Sequence, residues 1–295
     1  MQQRSLKFYL SPVLYRAFFL VLLASNCPAV AAPLELFRPP ARFISGSRPD
    51  QTEGARILYT FHQAGRNGSY WLAFELRIMP RQGADRIMMG ELHGGSNALG
   101  PISRLTLTIP DGEQRWLLQS GPQSVAWRWP GGSGETGVLT SNESLQPIAG
   151  TDLTPFDLQM PFLYWTDFIY EGVAKVRGRP AHSFLLYPPV EQGASLINLT
   201  GVRVLLDTEF QAFMQAELLG STGTITKTIT ILNLKKVGEQ WLPKSIDIRN
   251  HLTRAKTRLT IIAAALDVLW PENFFSPALL ALPAPAVPLA KRQSL

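Results

Sequence analysis

Apolar and polar residues alternate in short runs along most of the chain, with a period of two. Tyr70, Leu72, Phe74, Leu76 and Ile78 alternate with Trp71, Ala73, Glu75 and Arg77. Leu105, Leu107 and Ile109 alternate with Arg104, Thr106 and Thr108, and Val125, Trp127 and Trp129 with Ala126 and Arg128. The pattern returns at Val202, Val204 and Leu206, at Ile225, Ile229 and Ile231, at Ile246 and Ile248, and at Leu259 and Ile261. Such alternation predicts strands with one buried face and one wet face. Turn signals lie between the runs, at Gly65-Arg66-Asn67-Gly68, Pro110-Asp111-Gly112 and Gly220-Ser221-Thr222-Gly223. Regular spacing of short strands predicts one large antiparallel meander. About a dozen strands are too many for a flat sheet, so it should curl into a barrel-like form or split in two.

One segment breaks the alternation. Thr151 to Leu158 predicts a capped short helix with Pro155 at its first position, and Pro161 marks a kink or restart before Phe162-Leu163-Tyr164-Trp165. It lacks a clean polar face, which predicts packing into something concave. Asp152 and Asp157 are expected just before the helix and in its first turn, where negative charge suits the helix dipole. Gly131 to Gly137 predicts a flexible surface loop. Residues 32–54 predict an extended lead-in rich in Pro, Arg and Ser. The single β-domain is expected over 55–276, and residues 277–295, rich in Ala, Leu and Pro, are expected to be poorly ordered.

The first thirty residues carry Arg4, Lys7 and Arg16, then the apolar run Ala17 to Ala24, a breaker at Pro28 and the small residues Ala29-Val30-Ala31-Ala32. This is the layout of a cleavable secretory signal over 1–31, with cleavage near Ala31. An uncleaved anchor is disfavoured by Asn26 and Pro28, and acylation of Cys27 by Asn26 directly before it. Removing the signal takes away three positive charges and lowers the net charge from +6 to +3, and with it most of the case for nucleic acid. It also removes the sole cysteine, which excludes disulfides and thiolate chemistry from the remainder. An exported chain without disulfides predicts a bacterial periplasm.

Chemistry-bearing clusters are scarce. His62, His93, His182 and His251 are far apart and have no metal-ligand spacing. There is no G-x-S-x-G elbow. His93-Gly94-Gly95-Ser96 is read as a glycine turn after a strand over 86–92. Lys235-Lys236 predicts a solvated hairpin end, and Arg177-Gly178-Arg179 a tight basic turn.

Residues 150–276 resemble the outer-membrane lipoprotein-sorting family, the LolA-like periplasmic carriers. The resemblance rests on Gly150-Thr151-Asp152-Leu153, Pro155-Phe156-Asp157-Leu158, Met160-Pro161-Phe162-Leu163 and Tyr170-Glu171-Gly172. It continues through Arg177-Gly178-Arg179-Pro180, Val204-Leu205-Leu206-Asp207, Gly238 to Lys244, Thr257-Arg258-Leu259 and Phe275-Ser276-Pro277. It implies a mainly β (α+β) fold: a large antiparallel sheet curled into an incompletely closed barrel, with short helices over its open side. It further implies an apolar cavity that holds a lipid or the acyl chains of a lipoprotein. Alternation places Leu72, Phe74, Leu76, Leu105, Leu107 and Phe213 on the cavity wall, with Met160, Phe162 and Trp165 in the insert that plugs it. The expected protein is a monomeric carrier without catalytic residues, metal or cofactor, working with a membrane-bound donor or acceptor protein. The alternatives are an envelope-sensing or protein-interaction module on the same fold and, last, a secreted hydrolase.

Overall fold

A computed structural model describes residues 37–44, 48–64, 68–190, 196 and 198–295. The expected signal over 1–31 and its Cys27 lie outside the described residues. Strand β1 is Tyr70–Met79, β2 Arg86–Asn97, β3 Gly100–Ile109, β4 Gly112–Gln119, β5 Val125–Trp129 and β6 Gly137–Val138. After the insert come β7 Phe168–Val176, β8 Arg179–Leu186, β9 Gly201–Asp207, β10 Phe213–Leu219, β11 Ile225–Val237, β12 Gln240–Asn250 and β13 Lys256–Leu266, with β14 at Gln293–Ser294. The described strands form one antiparallel 14-stranded sheet in the order β6-β5-β4-β3-β2-β1-β13-β12-β11-β10-β9-β8-β7, with β14 paired to β13 off this path. Two meanders are thus joined at the β1–β13 pair, where Leu72 lies opposite Ala264 and Leu76 opposite Leu259. The sheet does not close, and its free edges are β6 and β7. The sequence between those edges is the insert.

The concave face carries the main core. Leu72, Phe74 and Leu76 meet Leu105, Leu107, Trp116, Phe184, Val204, Ile229 and Ile261 in one apolar cluster. At about 1.5–3 kcal/mol per fully buried large apolar side chain, this cluster is the main stabilising term. Gly90 is required here, because a Cβ would come within 2.5 Å of Phe74 and 2.7 Å of Leu107.

Four sequence expectations change. The helix α1, Gln51–Ala64, occupies residues expected to be extended lead-in and the start of the strands. The Asp50 carboxylate accepts from the Thr52 backbone N–H at its start, and Ile57 and Leu58, with Phe61 one turn on, turn toward the core. Gln51 then pairs the edge of β7: its amide nitrogen donates to the Tyr170 carbonyl and its oxygen accepts from the Tyr170 N–H. A side chain thereby stands in for a neighbouring strand at an exposed edge.

The expected glycine turn at 94–96 is absent, and β2 continues through it to Asn97. Gly94 and Gly95 make room for rings: a Cβ on Gly94 would lie 2.1 Å from Tyr70, and one on Gly95 2.8 Å from Phe275.

The tail 277–295 packs along the convex face. Leu280 packs with Ile102 and Leu117, and Val287 with Trp71 and Ala265. β14 pairs with β13 at Ala263 and Ala264, beyond the point where the β12 pairing ends at Ser245↔Thr260. Convex-face burial is the fourth change. Arg104, assigned by alternation to the wet face, is 1% exposed because the tail covers it. It donates to the Leu279, Leu280 and Leu282 carbonyls, and Arg115 to that of Ala281. Burial lowers the Arg104 pKa to about 10.

At the other end of the sheet the lead-in covers the convex face. Arg38 forms a two-bond ion pair with Asp167 at 2.7 Å and lies over the Tyr187 ring, whose hydroxyl donates to the Pro39 carbonyl. Beneath it Glu171 accepts from Arg203 at 2.7 and 3.1 Å and from the Ser183 hydroxyl at 2.7 Å.

Candidate functional site

The insert lies as a lid across the apolar face of the sheet, tied to β4, β5, β11 and β13. The Thr154 side chain caps the helix α2, Pro155–Gln159, by accepting from the Asp157 N–H, and the Asp157 carboxylate accepts from the Thr154 N–H in return. This reciprocal cap satisfies two donors that a helix start leaves unpaired. Met160 takes a left-handed conformation (φ 46°), which ends the helix and lets Pro161 open a 3-10 turn through Tyr164. The result aims Phe156, Phe162 and Trp165 into the concave face, with ring centroids 5.8–6.4 Å apart. Asp152 and Asp157 sit before and within the helix start, as expected.

All nine residues assigned to the cavity wall and plug are in one apolar cluster. Leu72, Phe74, Leu76, Leu105, Leu107, Phe162 and Trp165 are buried in it, and Met160 and Phe213 pack against it half-buried. With the lid seated, the wall and plug residues fill one another's space. Two clefts remain at the lid's borders. One of about 140 Å³ lies between Trp116, Arg128, Leu139 and Pro155, and one of about 420 Å³ between Tyr164 and the β2–β3 hairpin at Ser96 to Pro101.

Polar contacts pin the lid. Lys227 Nζ on β11 donates to Asp157 Oδ2 at 2.7 Å. Thr257 on β13 donates from Oγ1 to Asp152 Oδ2 at 3.0 Å and accepts from the Asp152 N–H at 2.9 Å. Gln159 donates to the Gln119 and Val125 carbonyls at 2.8 and 2.9 Å, and His62 Nε2 lies 2.6 Å from the Leu163 carbonyl. The His62 ring also stacks on Tyr164, 5.2 Å between centroids. The sequence reading missed these residues. Lys227 had a signal: it occupies an apolar-face position between Ile225 and Ile229, where a charge needs a partner. Thr257 and Gln159 had none.

The histidines occupy four separate settings. His62 is on α1, and His251 Nε2 is 2.8 Å from the Thr228 hydroxyl. His182 Nδ1 is 2.8 Å from the Tyr170 hydroxyl, and burial lowers the His182 pKa. His93 is enclosed by Trp270 and Phe274, and burial lowers its pKa to about 4. Among the described residues no group of three or more His, Cys, Asp or Glu could hold a metal ion, and no helix is long and apolar enough to cross a membrane.

A family model described as "Uncharacterized protein" matches residues 115–281, more than half of the chain. The chain belongs to that family. No curated protein sequence matches it. Among solved structures, a domain described as an outer membrane lipoprotein-sorting protein from Vibrio parahaemolyticus superposes with a TM-score of 0.70 at 18% identity, covering 79% of this chain and all of that one. A DUF1329 family protein from Desulfovibrio piger gives 0.69 at 12% identity, over 79% of this chain and all of its own. A LolA superfamily protein from Nitrosomonas europaea gives 0.57 at 15%, over 75% of this chain and 96% of its own. The chain thus shares the fold of these LolA-like structures, an unclosed antiparallel sheet with short helices.

Proposed function

We propose that the protein is a periplasmic carrier that holds a lipid, or the acyl chains of a lipoprotein, against the concave face of its open sheet. The observation that carries this reading is the lid: an apolar aromatic segment, tied down by a handful of polar contacts, lies across the apolar face of the open sheet. The likeness to lipoprotein-sorting folds supports it. Lifting the lid exposes Phe74, Leu105, Leu107 and their neighbours, and each buried CH₂ of an acyl chain contributes about 0.8 kcal/mol in their place. No catalytic group is required. Delivery then consists of transfer to a membrane-bound acceptor while the lid reseats.

Native mass spectrometry with lipid extraction tests this on protein purified from a bacterial periplasm. A phospholipid or acylated peptide at defined stoichiometry is the expected result, and its identity separates lipid from lipoprotein transport. Empty protein that also takes up nothing from phospholipid vesicles overturns the reading. Crosslinking to a protein partner would then favour the sensing module.

A further inference from the structure

A second apolar cleft opens at the end of the sheet by the β7–β8 turn, clear of the insert although it shares the wall residue Phe213. β10 pairs with β11 only from Leu219↔Ile225 to Gln215↔Thr230, so β11 runs on past the start of β10. A cleft of about 430 Å³ opens beside that overhang, within the size range of small-ligand sites. Phe210, Phe213, Met214, Ile231 and Leu234 line it, and Arg177 and Arg179 stand at its rim.

The two arginines differ. Arg179 is engaged: it donates to Asp207 at 2.7 Å and to Glu209 at 3.4 Å, and its guanidinium lies 5.4 Å from the centre of the Phe210 ring. It neutralises the nearby acids and sets Phe210 over the cleft. Arg177 makes no hydrogen bond or ion pair among the described residues. It occupies the first position of the two-residue β7–β8 turn at φ 51°, followed by Gly178 at φ 88°. That turn type favours Asn at this position, so the turn itself gives no reason for an arginine. An unpaired cation at one end of an apolar slot matches a molecule with an anionic head and an apolar tail. The free β11 edge could instead take a peptide strand. Against that stand the register shifts at Ile231, Asn233 and Leu234 and the charges of Lys235 and Lys236, devices that blunt an edge.

We propose that this cleft binds one long-chain carboxylate, its head on Arg177 and its chain along Phe210, Phe213, Met214 and Leu234. The site shares Phe213 with the concave wall but takes in no residue of the insert, so it stands or falls apart from the carrier reading. Calorimetric titration of the delipidated full chain with sodium laurate, below its micelle threshold, tests it. Laurate should bind, and dodecyltrimethylammonium, with the same tail and the opposite charge, should not. Arg177→Asn suits the turn and should weaken laurate binding about tenfold, the loss of one charge-assisted contact. Leu234→Asp should abolish it, with thermal melts confirming that both variants fold. Three outcomes overturn the proposal: no laurate binding to the parent, equal binding of the cationic analogue, or unchanged binding in both variants. The last would place the laurate elsewhere and leave the carrier reading standing.

Discussion

The Lys227 ammonium meets the Asp157 carboxylate at 2.7 Å across the boundary between sheet and lid, with the Asp157 side chain 0% and the Lys227 side chain 14% exposed. The same Asp157 oxygen accepts from the Thr154 N–H, so one carboxylate both starts the lid helix and fastens it. Asp157 thus couples the lid's internal structure to its seat. A buried pair of this kind adds little net stability over an apolar replacement, but losing one partner is costly.

Lys227→Met should therefore loosen the lid selectively. We expect a cost of roughly 3 kcal/mol, at the low end for breaking a buried pair because Lys227 retains some solvent contact. Hydrogen exchange should rise over 151–165 and stay unchanged in β2 and β3. Lipid uptake from vesicles should become faster. Equal protection of the lid in parent and variant would show that the pair does not fasten it.

His93 gives the fold an acid-sensitive component. Its pKa falls from 6.5 unfolded to about 4 folded, through burial between Trp270 and Phe274. Between those values the unfolded chain binds the proton and the folded chain does not. The stability held by neutral His93 is whole above pH 6.5, drains as pH falls and is gone below about 4. The loss is on the order of 3 kcal/mol. Urea unfolding at pH 7 and pH 4.5 should show it, and His93→Leu should flatten the difference. A variant with the parent's pH dependence would assign the acid sensitivity to other groups.

Leu280 tests the tail. It is 1% exposed against Ile102 and Leu117. Leu280→Ala should cost about 2–3 kcal/mol in denaturant unfolding, as in a packed core. A disordered tail would give no change.

Gly94→Ala should destabilise by about 1–3 kcal/mol, because its methyl would lie within the Tyr70 ring. Tyr70→Ala in the same chain should recover part of the loss from Gly94→Ala. Additive effects would mean that the two positions do not share space.

The strands and the lid were legible because both signals are local. Period two marked β1, β3, β5 and β9, and Thr154-Pro155 followed by Asp157 marked the cap of the lid helix. Alternation assigned Leu72, Phe74, Leu76, Leu105 and Leu107 to one face, and the structure gathers them in one cluster. The helix α1 was missed although Ile57, Leu58 and Phe61 have helical spacing, since the prolines before it favoured extended chain and the β-domain was read as starting at 55. Gly54 is there for close approach: a Cβ would lie 2.6 Å from Tyr170. The tail was illegible for a different reason. It docks through backbone carbonyls that accept from Arg104 and Arg115, and main-chain acceptors leave no trace in side-chain pattern. For the same reason Arg104 looked like a wet-face residue.

The β1–β13 seam sets an order of events during synthesis. Its partners, Leu72 with Ala264 and Leu76 with Leu259, are far apart in sequence, and β14 adds the last residues of the chain to the same strand. Contacts of such long range form late. A nascent chain can build each meander alone, but it cannot join them or cover Ile102 and Leu117 until its final turns have been made. Until then the two unjoined halves expose sticky apolar surface, and a chain arrested at that point invites aggregation.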